Sequence, residues 1–509
     1  MVVPQIVLAT LNAKYIHASL GLRYLLANLG ELQPLAVLRE FTIADRPADI
    51  AEQLLADGPR IIGLGVYVWN VAPTQAVVDI IKRVAPQTVL VLGGPEVSHE
   101  WQDQPLVAAA DYVVTGQADL AFAALCRAVL TGQPPREKVI HAGEVPLAQL
   151  ASPYALYTDQ DIAHRLIYVE ASRGCPFKCS FCLSSLDKTA VPFDLDAFVG
   201  ELDQLYQRGV RHFKFVDRTF NLNVATGTQI LQFFLQRLDD RLFLHFELIP
   251  DRLPVALRAL LAQFPAGSLQ LEIGIQTLQP EVQQRIARRQ DLTATAANLA
   301  WLRHHSQAHL HVDLIAGLPG ETMAQFGLGF DWLVALDPHE IQVGVLKRLR
   351  GAPIVALTAA FELRFDPAPP YTVLATATWS FGDLQRLGRF ARYWDLIANS
   401  GRFAQARALI LGEQPFDRFM ALADWLFGRT HQTHQIALER LFGLLLEGMV
   451  ASLEVPQLQA QAALSDDYRA SGLRGVPERL GAPAPRDSST SGRSGAPRQA
   501  RHLRSAPAN

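Results

Sequence analysis

The sequence predicts an α/β protein with three folded parts: a doubly wound N-terminal domain, a partial (βα)6 barrel and an all-helical C-terminal domain. Three observations predict this class. Short, nearly continuous apolar runs alternate with amphipathic helical stretches, as in parallel sheets covered on both faces. The alternation starts twice, near residue 6 and near residue 166. After residue 365 the strand-like runs give way to helix-patterned segments.

Composition narrows the function classes. The chain has 509 residues, of which 49% are hydrophobic, enough for two or three domains with sizeable cores. Its 46 basic and 49 acidic residues give a net charge of -3, so no overall field attracts nucleic acid or an anionic membrane, and a small-molecule substrate is expected. No signal peptide pattern opens the sequence and no apolar run reaches the length of a membrane span. We expect a cytoplasmic protein.

Residues 1–140 are expected to form a Rossmann-like domain that binds a ligand at the carboxyl ends of its strands. Predicted strands are the runs "QIVLATL", "LAVLREFTI", "RIIGLGVYV", "TVLVLGG" and "DYVVTG". The loops that follow them include "NAKYIH" (12–17), "YVWN" (67–70), "GGPEVS" (93–98) and "GQAD" (116–119).

These loops carry neither G-x-G-x-x-G nor G-K-[ST], which argues against a dinucleotide or a nucleoside triphosphate. Each glycine alone also suits an ordinary turn, and Tyr67 with Trp69 also suits an aromatic pair at a sheet end. Four such loops at one edge favour a large, flat ligand that approaches the backbone closely.

A linker is expected over 141–165, followed by a second αβ repeat over 166–360. Six strands with intervening helices span too few residues for an eight-unit barrel, so we predict a partial, open (βα)6 barrel. Polar residues near the carboxyl ends of strands are candidates for function in such folds. They are Glu170, Asp217, Glu247, Glu272, Gln276, Asp313 and Lys347.

Three of the four cysteines, Cys175, Cys179 and Cys182, lie in "RGCPFKCSFCLSS", directly after the first strand of the second repeat. A structural zinc ion normally takes four protein ligands and a disulfide takes two thiols. Three clustered thiolates therefore indicate a metal centre with an open position, although a zinc site completed by a histidine stays possible. Cys126, in "AFAALCRAVL", fits a buried small hydrophobe.

The spacing C-x-x-x-C-x-x-C after a strand resembles the signature of the radical S-adenosylmethionine (SAM) superfamily. "FVDRTFN", "LEIGIQTL" and "GLPGET" are similar to the TIM-like barrel of that family. The N-terminal loops are similar to the cobalamin-binding domain that some of its members carry. The segment 365–464 resembles an uncharacterised C-terminal helical domain of one bacterial subgroup.

This resemblance implies cofactors and their sites. The three cysteines would hold a [4Fe-4S] cluster whose fourth iron binds SAM, and cobalamin would bind the N-terminal domain. Candidate SAM contacts are Phe181, Asp217, Glu272 and Gln276. Candidate cobalamin contacts are Asn12, Tyr15, His17, Tyr67, Trp69, Asn70, Gly93, Gly94, Glu96 and Gly116. The D-x-H-x-x-G loop of other cobalamin proteins is absent, so we expect cobalt to bind without a histidine ligand.

The implied function is a radical SAM enzyme that forms a 5'-deoxyadenosyl radical and transfers a methyl group through cobalamin to an unactivated carbon. A flavodoxin- or ferredoxin-type protein would donate the electron. Two alternatives stay open: a radical rearrangement or ring modification, with or without cobalamin, and a non-catalytic iron-sulfur sensor or electron carrier.

The C-terminal part has two expectations. Trp379, Trp394 and Trp425, at helical positions in 365–464, are expected to be core residues. Residues 465–509 are rich in Pro, Ser, Gly and Arg and are expected to form a disordered tail.

Overall fold

The computed structural model describes residues 3–187, 189–473 and 498–504. The first sheet is parallel with strand order β2-β1-β3-β4-β5-β6. Its elements are β1 (Ile6–Asn12), α1 (Leu20–Ala27), β2 (Ala36–Thr42), α2 (Pro47–Leu55), β3 (Ile61–Gly65), α3 (Val71–Val84), β4 (Val89–Gly93), α4 (Pro95–Ser98), α5 (Pro105–Ala109), β5 (Tyr112–Thr115), α6 (Asp119–Leu130) and β6 (Val139–His141).

The doubly wound character of this domain follows from its two separate apolar layers. Ile62 and Leu64 belong to the core on one face of the sheet, and Ile61 belongs to the core on the other. The chain order reverses between β1 and β3, which makes the edge beside them the topological switch point where such folds bind ligands. The short strand β6 lies at the predicted boundary with the linker and was not expected.

The predicted linker region contains the helix α7 (Asp159–His164) and two short 3-10 turns, Leu147–Gln149 and Tyr154–Leu156. The helix begins at Thr158, whose hydroxyl accepts from the Asp161 N–H at 3.1 Å while the Asp161 carboxylate accepts from the Thr158 N–H at 2.9 Å. Arg23 of α1 donates to this same carboxylate at 2.8 Å. The linker is therefore an ordered segment that packs against the N-terminal domain.

The second sheet has six parallel strands in the order β14-β13-β12-β11-β10-β7, the open barrel that the sequence predicts. Its elements are β7 (Ile167–Val169), β8 (Ser172–Gly174), β9 (Ala190–Pro192), α8 (Leu195–Gln207), β10 (His212–Phe215), α9 (Val224–Leu235), β11 (Phe243–Leu248), α10 (Val255–Leu261), β12 (Leu269–Gln276), α11 (Pro280–Arg285), α12 (Leu292–His305), β13 (His309–Ala316), α13 (Met323–Ala335) and β14 (Glu340–Val345). The strands β8 and β9 form a separate antiparallel ribbon around the cysteine loop.

The C-terminal part packs on the barrel. It begins with a small antiparallel pair, β15 (Arg364–Phe365) and β16 (Val373–Ala375), and continues with α14 (Phe381–Leu396), α15 (Ala404–Leu411), α16 (Pro415–Thr430), α17 (Leu438–Leu453), α18 (Gln457–Ala470) and α19 (Arg498–Arg504). One hydrophobic core runs from the barrel into these helices, where the Phe330 ring lies 4.7 Å from that of Trp394. Trp379 and Trp394 are 1% exposed and Trp425 packs against the core, as expected.

The expected start of disorder at residue 465 is wrong for two described segments. The helix α18 continues to Ala470, because Asp467 accepts hydrogen bonds from the N–H groups of Gln405 and Ala406, both at 2.9 Å, and Tyr468 is 2% exposed. The helix α19 docks on the barrel through polar contacts, which composition does not reveal. Residues 474–497 and 505–509 lie outside the described residues. None of the described helices is long and apolar enough to cross a membrane.

Candidate active site

The three clustered cysteines lie at the mouth of the barrel, in the loop that follows β7. All three line one cavity. Cys175 and Cys179 are 8% and 7% exposed, and Cys182 is partly buried. The Ser180 N–H donates to the carbonyl of Ile286 at 2.9 Å, and so fastens the loop to the end of α11. The barrel thus holds all three thiols around a single space.

The thiols differ in their ionisation. Burial raises the pKa of both Cys175 and Cys179, and the Arg288 guanidinium, with Nη1 3.8 Å from the Cys179 Sγ, works in the opposite direction at Cys179. Burial in α6 raises the pKa of Cys126 to about 12, so this thiol stays protonated and unreactive. The raised pKa values of Cys175 and Cys179 do not prevent them from binding a metal ion, because a bound cation deprotonates a coordinating thiol.

One wall of the cysteine cavity carries a fixed carboxylate. Glu272, in the middle of β12, accepts a hydrogen bond from the His245 ring at 2.8 Å and lies 3.8 Å from the Lys214 ammonium. Burial opposes ionisation of Glu272, but these two partners hold its pKa at about 2. The carboxylate is therefore ionised and oriented at neutral pH.

Gln276 adds an acceptor without a partner. It ends β12 at a shift in the pairing with β13, and its backbone has a φ of 72°, in the left-handed region. It lines the cysteine cavity, and within the described part of the chain its buried Oε1 accepts no hydrogen bond. A ligand hydroxyl or ammonium group at this position would supply the missing donor.

The structure separates the four expected SAM contacts. Phe181, Glu272 and Gln276 line the cysteine cavity, whereas Asp217 does not. The Asp217 carboxylate accepts from the Ala171 N–H at 2.9 Å and from the Ser172 hydroxyl at 2.6 Å, and burial raises its pKa to about 6. Asp217 therefore stabilises the start of the cysteine loop from outside the cysteine cavity.

Other polar residues of this cavity were not assigned to SAM from the sequence. Glu247 and Asp313 stand among the polar residues near strand ends. Arg218 follows β10 and donates to Glu247 at 2.9 Å, while Arg288 follows α11. All four line the cavity. Neither arginine has a periodic signal, because each lies in a loop.

The N-terminal domain contributes two adjoining cavities at its switch point. A cavity of about 240 Å³ lies between α1, α6 and the carboxyl ends of β3, β4 and β5. A wider one, of about 500 Å³, lies between this domain and the barrel. Seven expected cobalamin contacts line one or both: Asn12, His17, Tyr67, Trp69, Gly93, Gly94 and Gly116.

The remaining three expected contacts do not line these cavities. Tyr15 lies under the Arg165 guanidinium, 4.6 Å from it, and is 48% exposed. Asn70 is fully buried, and its amide donates to backbone carbonyls, including that of Leu11 at 3.1 Å. Glu96 turns toward the barrel and binds Arg350 at 2.8 Å. For these residues the sequence correctly predicted the loop, but the direction of each side chain depends on partners that are distant in the sequence.

Glycines on the sheet itself open the smaller cavity. Gly63 and Gly65 lie on one face of β3 and leave the carboxyl-terminal half of that face without side chains. A Cβ on Gly63 would lie 2.9 Å from the Phe122 ring. The sequence analysis missed these residues, although the pattern "GLG" inside a strand is a usable signal.

Arg173 lies between the cavities of the N-terminal domain and the cysteine cavity. It lines both N-terminal cavities and forms salt bridges with Glu170 at 2.7 Å and Asp119 at 3.2 Å. It stands two residues before Cys175, which lines the cysteine cavity. One short segment of the barrel therefore faces both ligand spaces. We see no sequence pattern that would have assigned this role.

Comparison with known families agrees with this geometry. Residues 169–333 match the Radical SAM superfamily, residues 6–126 match the B12 binding domain, and residues 359–475 match a domain of unknown function, DUF4080. These three matches lie in separate parts of the chain and coincide with the barrel, the first sheet and the C-terminal helices.

Among curated proteins, the chain is 26% identical to an uncharacterized methyltransferase of Pyrococcus horikoshii, over 42% of this chain and 51% of that protein. It is 24% identical to the cobalamin-dependent radical SAM methyltransferase TokK of Streptomyces tokunonensis, over 59% of this chain and 49% of that protein. The chain thus spans about half the length of the curated relatives it matches.

Among solved structures, the radical SAM methyltransferase TsrM of Kitasatospora setae, with tryptophan and a SAM analogue bound, has a TM-score of 0.57 at 18% identity, covering 78% of this chain and 90% of TsrM. The cobalamin-dependent SAM radical enzyme OxsB has a TM-score of 0.60 at 14% identity, covering 92% of this chain and 83% of OxsB. At these identities the likeness shows the fold.

The barrel and its cysteine site are those of the radical SAM domain that residues 169–333 match. More particularly, this chain combines a radical SAM domain with an N-terminal B12 binding domain and a C-terminal DUF4080 domain. Its cofactors are accordingly a [4Fe-4S] cluster, SAM and cobalamin.

Proposed function

We propose that this protein is a cobalamin-dependent radical SAM enzyme that methylates an unactivated carbon of a small-molecule substrate. The observation that carries the proposal is the position of residues 170–175. Glu170 and Arg173 face the cavity beside the B12 binding domain, and Cys175 faces the cysteine cavity. A substrate at the barrel mouth would meet both cofactors across this short segment.

The residues present fit the cluster and SAM. Three thiols, two of them buried, line one cavity, and the Gln276 Oε1 has no donor among the described residues. We propose that Cys175, Cys179 and Cys182 hold the cluster, and that Glu272 and Gln276 accept hydrogen bonds from SAM. When bound, the cluster and SAM supply hydrogen abstraction by a carbon radical, and cobalamin supplies the methyl group.

This chain's own residues orient and shield the reacting groups. His245 and Lys214 keep the Glu272 carboxylate ionised and in place for a ligand hydroxyl or ammonium group. Phe181 lines the cavity beside the thiols and packs against the barrel core. The arrangement positions the ligand and limits the access of water, which would quench reactive species.

The cavities at the switch point fit cobalamin. The wide cavity between the domains can accept a large planar group, and the narrower glycine-walled cavity can accept an appended group. We propose that His17, Tyr67, Trp69, Gly93, Gly94 and Gly116 contact cobalamin, and that Asn12 and Asn70 shape its loops.

Two further expectations belong to this proposal. A radical SAM cluster needs one electron from outside, so we propose a flavodoxin- or ferredoxin-type donor. We also expect the enzyme to work in the cytoplasm, where reducing conditions keep the cysteine thiols free for iron.

The test uses protein reconstituted anaerobically with iron, sulfide and cobalamin, together with SAM carrying a deuterated methyl group and cell extract as the substrate source. We expect 5'-deoxyadenosine and a product that has gained the labelled methyl group. Cys182→Ala should abolish both and lose iron, while Cys126→Ala should retain both. Deoxyadenosine without any labelled product would favour a radical rearrangement and overturn methyl transfer.

A further inference from the structure

Three potential metal ligands meet at the end of the barrel opposite the cysteine cavity. His309 is the first residue of β13, Glu340 is the first residue of β14, and His502 lies on α19. They are 5%, 4% and 9% exposed, respectively. The three side chains come from three separate elements, and one of these elements follows a long stretch of chain with little apolar content.

The donor atoms have the separations of a metal site. The His309 Nε2 lies 3.0 Å and the His502 Nε2 lies 3.9 Å from the same oxygen, Oε1 of Glu340, and one donor atom from each residue lies within 4.8 Å of the others. Ligands about 2.0–2.1 Å from a tetrahedral zinc ion lie about 3.4 Å apart. The observed set brackets this value, so small side-chain rotations would place a cation between the three residues.

Neighbouring groups support the three ligands. The Glu340 Oε2 lies 3.3 Å from the His311 Nδ1, and the His339 ring stacks on that of His309 at 4.8 Å. Groups that bind the free atom of a ligating carboxylate, or that fix a ligating ring, orient metal ligands in many proteins.

The competing interpretation is a hydrogen-bonded ion cluster without metal. In that cluster the Arg498 Nε forms a salt bridge with the Glu340 Oε1 at 2.8 Å. Arg498 also binds Asp395 at 2.7 Å, so its charge keeps a partner if a cation takes that oxygen. The His502 Nε2, 3.0 Å from the Asn399 carbonyl, would have to release a proton on binding the metal. A bound cation would therefore replace Arg498 at the Glu340 Oε1 and the Asn399 carbonyl at the His502 Nε2.

We propose that His309, Glu340 and His502 bind a divalent cation of the zinc class, with water as a fourth ligand, and that this ion fastens α19 to the closed end of the barrel. Two imidazoles and one carboxylate are a recurrent zinc ligand set. The site is separate from the cofactor cavities, so the proposal goes beyond the proposed function.

The test uses tag-free, full-length protein whose [4Fe-4S] cluster is loaded, so that Cys175, Cys179 and Cys182 do not trap zinc. The protein is incubated with zinc chloride under anaerobic conditions and desalted, and zinc and iron are measured by mass spectrometry. We expect about one zinc ion per chain. His502→Ala should lose this zinc with its iron content unchanged, and the exposed His304→Ala should keep both.

A second measurement separates metal binding from folding. Cobalt(II) added in place of zinc should give the visible absorption of a low-symmetry site in wild type and in His304→Ala, but not in His502→Ala or Glu340→Gln. Zinc should raise the thermal midpoint of the wild type and leave that of His502→Ala unchanged. Wild type without zinc, or equal zinc in wild type and His502→Ala, would overturn the proposal. A wild-type protein that binds zinc but does not methylate would instead count against the proposed function and leave the zinc site standing.

Discussion

At the scale of single residues, two acidic side chains near the cysteine loop have opposite surroundings. Glu272 faces the cysteine cavity and is held ionised by His245 and Lys214. Asp217 faces away and binds the backbone and hydroxyl groups at the start of the loop. Amide substitutions at Glu272 and Asp217 therefore form a matched pair, in which only the first changes a group that faces the cysteine cavity.

We predict that Glu272→Gln weakens SAM binding by about ten- to a hundredfold, the value of a hydrogen bond to a charged group. Asp217→Asn should leave the SAM dissociation constant within about twofold, because its partners are protein groups. Isothermal titration of cluster-loaded protein with SAM measures both constants. Equal weakening in the two variants would contradict the placement of Glu272, provided that their iron contents match.

Glu321, in "GLPGET", has a buried carboxyl group, and its burial disfavours the ionised form. It is 1% exposed, it accepts from the Thr277 hydroxyl at 2.5 Å, and its Oε2 has no partner among the described residues. Burial raises the pKa of Glu321 to about 8. Its unfolded value is about 4.3, so the folded protein keeps a proton that the unfolded chain releases. Stability from this group is present below pH 4 and falls as the pH rises to about 8.

We therefore predict that Glu321→Gln stabilises the protein at pH 8 relative to pH 5, by about 4 kcal/mol at most, since each pH unit between the unfolded and the folded pKa is worth about 1.4 kcal/mol. The amide cannot ionise, so the variant avoids the pH-dependent loss. Denaturant unfolding of the two proteins at both pH values gives the comparison. A stability difference that does not depend on pH would show that Glu321 is ionised in the folded state.

At the scale of elements, the segment after β4 joins the N-terminal domain to the barrel. Glu96 is 3% exposed and accepts from Arg350 at 2.8 Å and from the Tyr371 hydroxyl. Glu100 accepts from Arg348 at 2.7 Å at a more exposed position. The two residues Gly93 and Gly94 just before this segment line the smaller cavity of the switch point. The contacts of Glu96 and Glu100 therefore hold the loop that lines the smaller cavity on the side away from that cavity.

We predict that Glu96→Gln lowers the free energy of unfolding by about 1–3 kcal/mol, since it removes the charge that compensates a half-buried arginine. Glu100→Gln, at the rim, should cost less than about 1 kcal/mol. The cobalamin dissociation constant should change in neither variant. Weaker cobalamin binding in Glu96→Gln alone would restore Glu96 as a direct contact. Thermal or denaturant unfolding and absorbance titration with hydroxocobalamin give the two quantities.

At the scale of the whole molecule, the N-terminal domain and the barrel meet at His17. Its Nδ1 lies 2.7 Å from the hydroxyl of Tyr168, on the first barrel strand, and the Leu166 N–H donates to the Ile16 carbonyl at 2.8 Å. Burial, then the charges of Lys214 and Lys14, lower the pKa of His17, so the ring is neutral at pH 7. His17 thus serves as a contact between domains.

We predict that cobalamin binds without a histidine ligand to cobalt. The Co(II) electron paramagnetic resonance spectrum of the reduced complex should lack nitrogen superhyperfine splitting, and His17→Ala should leave it unchanged. Tyr168→Phe is the matched variant that removes only the partner hydroxyl. A nitrogen splitting that disappears in His17→Ala would show that His17 leaves Tyr168 to bind the metal.

The sequence by itself determined the features that depend on residues close together in the chain. The cysteine spacing after a strand, the two runs of alternating strands and helices, and the glycine-rich loops at strand ends are local patterns. Backbone geometry converts such patterns into elements, and parallel sheets bring their carboxyl ends to one edge. The position of the three thiols follows from these short-range rules, whereas the class and the cofactors follow from the resemblance of these local patterns to known families.

Only the tertiary structure decided which way individual side chains turn and what covers the ends of the barrel. Asp217 and Glu96 stand in the expected loops, yet each turns toward partners that the sequence does not place beside it. The ordered α19 depends on Glu340 and Asp395, more than a hundred residues away. Arg173 faces both ligand cavities only because two domains pack on either side of it. Such partners are set by long-range packing and burial, which no local periodicity encodes.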